Sequence, residues 1–266
     1  MNWLIGAVGA LIVAGAAYRK QSLTLSGAAA AVLMGTIYYG AGDLFWFGTL
    51  LLFFITSTTL SKYRQGSKQD LEKSYAKTGN RDAGQVFANG GLGMVLCLLH
   101  FIYPHDIWKL LFIGVMATVT ADTWATECGS LSRKPPRSIL NGRPLPAGTS
   151  GGVSWLGSTA AAIGGAMIGA GAWLFGLWSG FDPSFIAYVL AGLIGGLAGA
   201  FSDSWMGATV QKMYRCVVCG KSVEVHSHCD TRTERSGGWS WMTNDAVNLI
   251  SSLIGGLVAW MVAGLL

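Results

Sequence analysis

Residues 185–201 read Phe185-Ile186-Ala187-Tyr188-Val189-Leu190-Ala191-Gly192-Leu193-Ile194-Gly195-Gly196-Leu197-Ala198-Gly199-Ala200-Phe201, without one charge. A run of this length spans a bilayer core, which takes about 20 apolar residues with a range of about 17–25. Its glycines let a neighbouring helix pack closely. A single such run also fits a buried helix of a soluble protein. Comparable runs at 3–18, 23–39, 44–60, 86–103, 107–121, 153–178 and 247–266 bring the total to eight, and a soluble chain has no core large enough for all of them. The run at 107–121 is short, so its helix is expected to continue into the polar residues that follow.

Composition agrees. Of 266 residues, 52% are apolar and 12% charged, with 38 glycines, and the mean hydropathy is +0.46. An ordinary soluble domain carries about 25% charged residues. Disordered, collagen-like and disulfide-scaffold chains are excluded, and a soluble globular enzyme is disfavoured. The fold class is therefore all-α: a polytopic integral membrane helical bundle of about eight transmembrane helices, in one membrane domain covering 1–266. Residues 3–18 lack a basic leader region and read as a span, not a cleavable signal.

Eight spans put the long loops 61–85, 122–152 and 202–246 on one side, together with Arg19 and Lys20. That side holds seventeen of the eighteen Lys and Arg residues; Lys109 alone is opposite. The asymmetry is a positive-inside signal. It predicts a multi-pass protein of the cell membrane with both termini outside and the long loops in the cytoplasm. The net charge of +5 is thus a topology signal, and no nucleic-acid partner is expected.

The polar motifs gather where spans meet those loops. Ser57-Thr58-Thr59-Leu60-Ser61-Lys62-Tyr63-Arg64 ends the third span. Arg81-Asp82-Ala83-Gly84-Gln85-Val86-Phe87-Ala88-Asn89-Gly90-Gly91 opens the fourth. Polar Asn89 beside two glycines inside a span suggests a lined cavity, although an interhelical hydrogen bond would also account for it. Lys68, Asp70, Glu72, Lys73 and Lys77 read as a charged surface stretch. Asp122 and Glu127 in Ala121-Asp122-Thr123-Trp124-Ala125-Thr126-Glu127 have no basic residue within five positions. On a continuing helix they lie about 140° apart, so one target for both is not required. Unpaired carboxylates at a membrane boundary are candidates for a divalent ion.

Gly148-Thr149-Ser150-Gly151-Gly152-Val153-Ser154 opens the sixth span and, at a helix N-terminus, offers backbone N–H groups to an anion, with Arg137 and Arg143 upstream as candidate phosphate ligands. Asp203-Ser204-Trp205 after the seventh span matches Asp122-Thr123-Trp124 in pattern, as an internal duplication would. Asn244, Asp245 and Asn248 open the last span. Among five cysteines, Cys216-x-x-Cys219 followed by His226, His228 and Cys229 has zinc-ligand residue types. A reduced loop-stiffening cluster is the alternative, and Cys97 reads as packing within a span.

These runs, with Pro146-Ala147 before the Gly148 stretch and Asn244-Asp245-Ala246-Val247-Asn248, resemble the family catalogued as domain of unknown function ninety-two. That family includes transmembrane protein nineteen and the plant and cyanobacterial phytyl-phosphate kinases, and the resemblance covers nearly the whole chain. It implies a membrane kinase that converts an isoprenyl monophosphate to the diphosphate with CTP or another nucleoside triphosphate. The run Ser202-Asp203-Ser204-Trp205-Met206-Gly207-Ala208 also looks distantly like the signature of membrane CTP-using enzymes.

The expected roles follow. Asp122, Asp203 and Asp245 hold Mg²⁺, with Asp82 and Glu127 as further acids. Lys62, Arg64, Arg81 and Lys212 clamp phosphates. Gly148, Thr149, Ser150, Gly151 and Gly152 cradle them. Asn89, Asn244 and Asn248 orient ligands. Cys216, Cys219, His228 and Cys229 are the zinc candidates. The partners expected are the bilayer, an isoprenyl phosphate and a nucleoside triphosphate. A CTP:lipid-phosphate cytidylyltransferase and a lipid-phosphate transporter or flippase stay open as alternatives. The transporter reading needs a polar route on both sides of the membrane.

Overall fold

The computed structural model describes residues 1–63, 66, 80–180 and 184–266. Its helices are α1 (Asn2–Arg19), α2 (Leu25–Ile37), α3 (Leu44–Lys62), α4 (Ala83–Ile102), α5 (Asp106–Gly129), α6 (Trp155–Trp178), α7 (Phe185–Thr209) and α8 (Asn244–Ala263). Seven are long and apolar enough by themselves to cross a membrane. α2 has 13 residues but continues into a π-helical turn, Tyr38–Gly42, and together they cover the apolar run at 23–39 except its first two residues. The protein is a multi-pass helical membrane protein, as the apolar runs require.

Helix starts are fixed by side-chain caps, which satisfy N–H groups that have no partner within the helix. Thr24 accepts from the Gly27 N–H (3.1 Å), Ser154 from Gly157 (3.1 Å) and Ser184 from Ala187 (3.3 Å). Large apolar side chains such as Leu4, Ile12, Leu25 and Ile163 stand open on the outer faces. In water such a surface would drive association; in a bilayer it faces lipid. Inside, Tyr38, Phe45, Trp46 and Phe112 form a buried aromatic knot, with Trp46 and Phe112 ring centroids 4.5 Å apart.

α5 is the central helix, buried continuously from Phe112 to Ala121. Thr118 decides how closely its neighbours approach. Its hydroxyl donates to the Gly114 carbonyl at 2.8 Å and sits where a methyl at Gly199 of α7 or Gly255 of α8 would go. Only glycine at both positions lets α5, α7 and α8 meet around this hydroxyl.

Two loops begin later than the sequence suggested. α5 runs to Gly129 and α7 to Thr209, so Asp122, Glu127 and Asp203 are helical residues and not members of loops starting at 122 and 202. Their polar side chains do not end the helices, because they face other helix ends and not lipid. The loops also carry short strands. β1 (Arg137–Ser138) pairs with β2 (Gly152–Val153), and β3 (Met213–Arg215) lies between β4 (Ser222–Val223) and β7 (Glu234–Gly237). A separate hairpin joins β5 (Ser227–His228) to β6 (Thr231–Arg232).

Gly255→Leu is expected to lower the melting temperature of the detergent-solubilised protein, by overpacking that costs about 1–3 kcal/mol or more. Gly15→Ala, where an added methyl meets nothing within 4 Å, should leave it unchanged or slightly raised. Size-exclusion chromatography after a heat step reads both.

Candidate functional site

One cavity of about 610 Å³ opens at a single end of the bundle. Its walls are the C-terminal ends of α3, α5 and α7, the N-terminal ends of α4, α6 and α8, and the loops between them. Helices that alternate in direction bring these ends together, so motifs far apart in sequence become neighbours.

Of the residues expected from sequence, Arg81, Asn89, Asp122, Glu127, Gly148, Thr149, Ser150, Gly151, Gly152, Asp203, Asn244, Asp245 and Asn248 all line this cavity. Asp122 and Asp203 occupy matching places, each about two turns before the end of its helix, so the two Asp-hydroxyl-Trp runs are alike in position as well as pattern. The carboxylates of Asp122, Asp203 and Glu224 lie within electrostatic reach of one another. The Ser251 hydroxyl of α8 donates to Asp203 Oδ2 at 3.2 Å. Asp122 and Glu127 both reach the cavity despite their angular separation, because it wraps around the end of α5. Glu127 Oε1 accepts a 2.5 Å hydrogen bond from Ser61.

Facing these acids are buried donors. Arg81 is only 8% exposed, and its Nη1 has no hydrogen-bond partner among the described residues. Its guanidinium carbon sits 5.4 Å from the Phe53 ring centroid. Burial lowers the guanidinium to about 10 against the opposing attraction of Glu127, so it stays cationic at neutral pH. Gln211, 3% exposed, accepts from the Ser150 hydroxyl at 3.4 Å while its Nε2 likewise has no partner among the described residues. Buried donors left unpaired carry a cost of about 1–3 kcal/mol each; Arg81 and Gln211 both line the cavity, with these two atoms themselves turned out of solvent contact.

The glycine loop differs from the expected cradle. It lies ahead of the helix cap Ser154 and not on the helix N-terminus itself. The Thr149 and Gly152 N–H groups are committed to turn bonds with the carbonyls of Pro146 (3.2 Å) and Thr149 (3.1 Å). Gly151 has φ +79 and packs directly on Ala208 of α7. A side chain there would be both strained and in collision.

Asp82, Lys62, Lys212, Arg137 and Arg143, all expected at the site, do not line the cavity. Asp82 caps α4, accepting the Gln85 N–H at 2.8 Å, which uses its carboxylate structurally. Lys62 is exposed and donates to the Lys20 carbonyl. Lys212 places its ammonium 5.4 Å from the Tyr214 ring centroid. Arg64, with the charged stretch at 68–77, lies outside the described residues. Arg137 donates to the Gly142 carbonyl at 2.9 Å and does not line the cavity; Arg133 and Lys134 do. Sequence reasoning missed Gln85, Arg133, Lys134, Gln211, Glu224 and Ser251. The basic pair directly after the acidic α5 end was a usable signal for two of them. Nothing local marks Glu224 or Ser251.

A second, smaller cavity of about 60 Å³ is apolar and lies between α1, α2, α3 and α4, with Ala14, Ala31, Leu50 and Phe54 among its walls. It shares Arg81 and Asn89 with the polar cavity. A polar chamber and an apolar crevice thus meet at one buried cation.

At the loop end, Cys216 Sγ, Cys219 Sγ, one ring nitrogen of His228 and Cys229 Sγ all lie within 4.8 Å of one another. His226 is engaged elsewhere, 3.2 Å from the Tyr214 hydroxyl.

Tripolyphosphate at about 100 times its Kd should stabilise the protein by about 2.7 kcal/mol if it binds only the folded state. Arg133→Ala together with Lys134→Ala, two cations that line the cavity, is expected to remove most of that shift while keeping a cooperative melt. Differential scanning fluorimetry with and without the anion checks this.

Comparison with known proteins agrees with the motif reading. Protein PGR of Arabidopsis thaliana is 32% identical over 263 residues, covering 91% of this chain and 90% of that protein. An uncharacterized membrane protein of Methanocaldococcus jannaschii is 30% identical over 217 residues, covering 80% and 74%. Protein VTE6, chloroplastic, of Arabidopsis thaliana is 24% identical over 255 residues, covering 94% and 68%. No solved structure gives a significant match. The family model described as integral membrane protein DUF92 matches residues 8–256, and the chain belongs to that family.

Proposed function

We propose that the protein is a membrane phosphotransferase that moves the γ-phosphoryl group of CTP or another nucleoside triphosphate onto an isoprenyl monophosphate. The observation that carries this reading is the pairing of two cavities at Arg81. The larger holds acids opposite cationic and amide donors, as a triphosphate and its metal require. The smaller offers the start of an apolar path for a tail. At about 60 Å³ it is far below the roughly 300–1,000 Å³ of ordinary ligand pockets. It takes only the first part of a prenyl chain, and the rest lies against lipid. The family's inclusion of phytyl-phosphate kinases supports the same substrate class.

In the reaction, an oxygen of the lipid monophosphate forms a bond to the γ-phosphorus. The bond from that phosphorus to the β,γ-bridging oxygen breaks, and its electron pair leaves with the nucleoside diphosphate. The attacking oxygen is already ionised, so no general base is needed. Positioning and charge stabilisation supply the acceleration. Arg81, at the junction of the cavities, holds the lipid phosphate at the mouth of the crevice. Arg133, Lys134 and the Gln211 amide take the polyphosphate. The carboxylates of Asp122, Asp203 and Asp245, with the Asn244 and Asn248 amides, are hard oxygen donors that fit Mg²⁺. That ion, when bound, supplies neutralisation of the developing charge. Ser251 orients Asp203.

The charge asymmetry supports a cytoplasmic cavity and outside termini. At the other end of the bundle, several of the polar residues among those described are used structurally. Asp43 caps α3, accepting the Phe45 N–H at 2.8 Å, and Lys109 pairs with Asp106 at 2.9 Å. This leaves little for the polar route a transporter needs.

Purified protein given Mg²⁺, γ-labelled CTP and phytyl phosphate should yield labelled lipid diphosphate and CDP. Release of pyrophosphate with a CDP-lipid would replace the kinase reading by a cytidylyltransferase. Asp122→Asn and Asp203→Asn are each expected to lower kcat by about 10²–10³-fold, on the scale of losing one transition-state contact, with folding retained. Ala31→Phe, which fills the crevice, should raise KM for geranylgeranyl phosphate well above any change for isopentenyl phosphate. Equal effects on both would remove the crevice from the substrate site.

A further inference from the structure

We propose that Cys216, Cys219, His228 and Cys229 bind one Zn²⁺ ion, and that this ion fixes the loop that presents Glu224 to the acidic cavity. The zinc site stands on its own geometry; its link to turnover rests on the phosphotransferase reading.

Tetrahedral zinc with bonds of about 2.3 Å to sulfur and about 2.0–2.1 Å to nitrogen sets its sulfur and nitrogen ligands about 3.6 Å apart. Cys219 Sγ lies 3.6 Å from His228 Nδ1, and Cys229 Sγ lies 3.2 Å from the same atom. All four ligand atoms fall within 4.8 Å of one another, and all three cysteines are free thiols. Three sulfurs and one imidazole make a closed structural set with no position left for substrate. The backbone is shaped to match. Cys216-Val217-Val218-Cys219-Gly220 forms a tight turn in which the Gly220 N–H donates to the Cys216 carbonyl at 2.9 Å, with Gly220 at φ +72. On the other side, Cys229 and Asp230 (φ 53 and 56) are the two central residues of the β5–β6 hairpin turn, which sets Cys229 Sγ beside the His228 ring.

The position of the cluster gives it a purpose. Glu224 lies between the two halves of the ligand set, directly after β4, and lines the cavity within electrostatic reach of Asp122. The strands that carry it are two or three residues long, too short to be stable by themselves in water. An ion joining Cys216 and Cys219 to His228 and Cys229 closes the chain on both sides of Glu224. Cys216 is buried, as are Tyr214 and Val223, which pair across β3 and β4.

Untagged protein, purified without chelator, should contain one zinc per chain by plasma mass spectrometry. Cys219→Ser and Cys229→Ser alter exposed positions and should each reduce that content at least fivefold while the helical circular dichroism is retained. Cobalt substitution should give thiolate-to-metal charge transfer and intense tetrahedral d–d bands. Zinc content unaffected by both substitutions, or no metal retained by the wild type after zinc loading and desalting, overturns the site. For the second half, stripping zinc should make the 213–237 segment cleavable by trypsin with the helices still protected, and re-addition should restore protection. Unchanged cleavage overturns the bracing role while leaving the site. If the phosphotransferase reading fails but zinc content and protection behave as expected, the zinc inference stands alone.

Discussion

The approach of α5, α7 and α8 around Thr118 governs the rest of the molecule. Its hydroxyl occupies space that side chains at Gly199 and Gly255 would otherwise fill. Lipid offers no hydrophobic drive for helices to associate, so packing at contact distance must supply it. Toward the cavity end of this contact, α5 presents Asp122, α7 presents Asp203, and α8 presents Ser251 and Asn248. Larger residues at the glycines would spread the helices, and the acids would no longer share one chamber.

Gathering acids at a membrane boundary has an electrostatic cost, since charge is poorly solvated there. The arrangement reduces that cost without cancelling it. Ser251 donates to Asp203, Ser61 donates to Glu127, and Arg81 sits near Glu127. Arg81 Nη1 and Gln211 Nε2 still lack partners among the described residues. Both residues line the chamber that also holds the carboxylates of Asp122, Asp203 and Glu224. The chamber has this character at one end of the bundle, whereas Asp43 and Asp106 at the other end serve a helix cap and an ion pair.

Most of the site was legible because chemistry placed at helix ends has few places to go. An acid such as Asp122 or Asp203 at the end of an apolar run must leave the lipid face, and alternating helices carry all such ends to one of two sides. The same logic overreached with Asp82, Lys62 and Lys212. A carboxylate one residue ahead of a helix serves equally as its cap, and a long flexible ammonium finds a carbonyl or an aromatic ring. Arg133 and Lys134 took the place expected for Arg137 because the β1–β2 pairing turns Arg137 toward Gly142.

The amino-acid sequence determined the number and limits of the apolar runs, the side that holds the cations, and the acids and amides at the helix ends. Each of these is a property of local composition measured against a bilayer of fixed thickness. Tertiary structure alone decided that Glu224 joins Asp122, that Ser251 reaches Asp203, and that an apolar crevice and the polar chamber share Arg81. Those pairings depend on how tightly the glycine faces allow the helices to close and on how the short strands fold the loop back, and no local pattern along the chain encodes such distances.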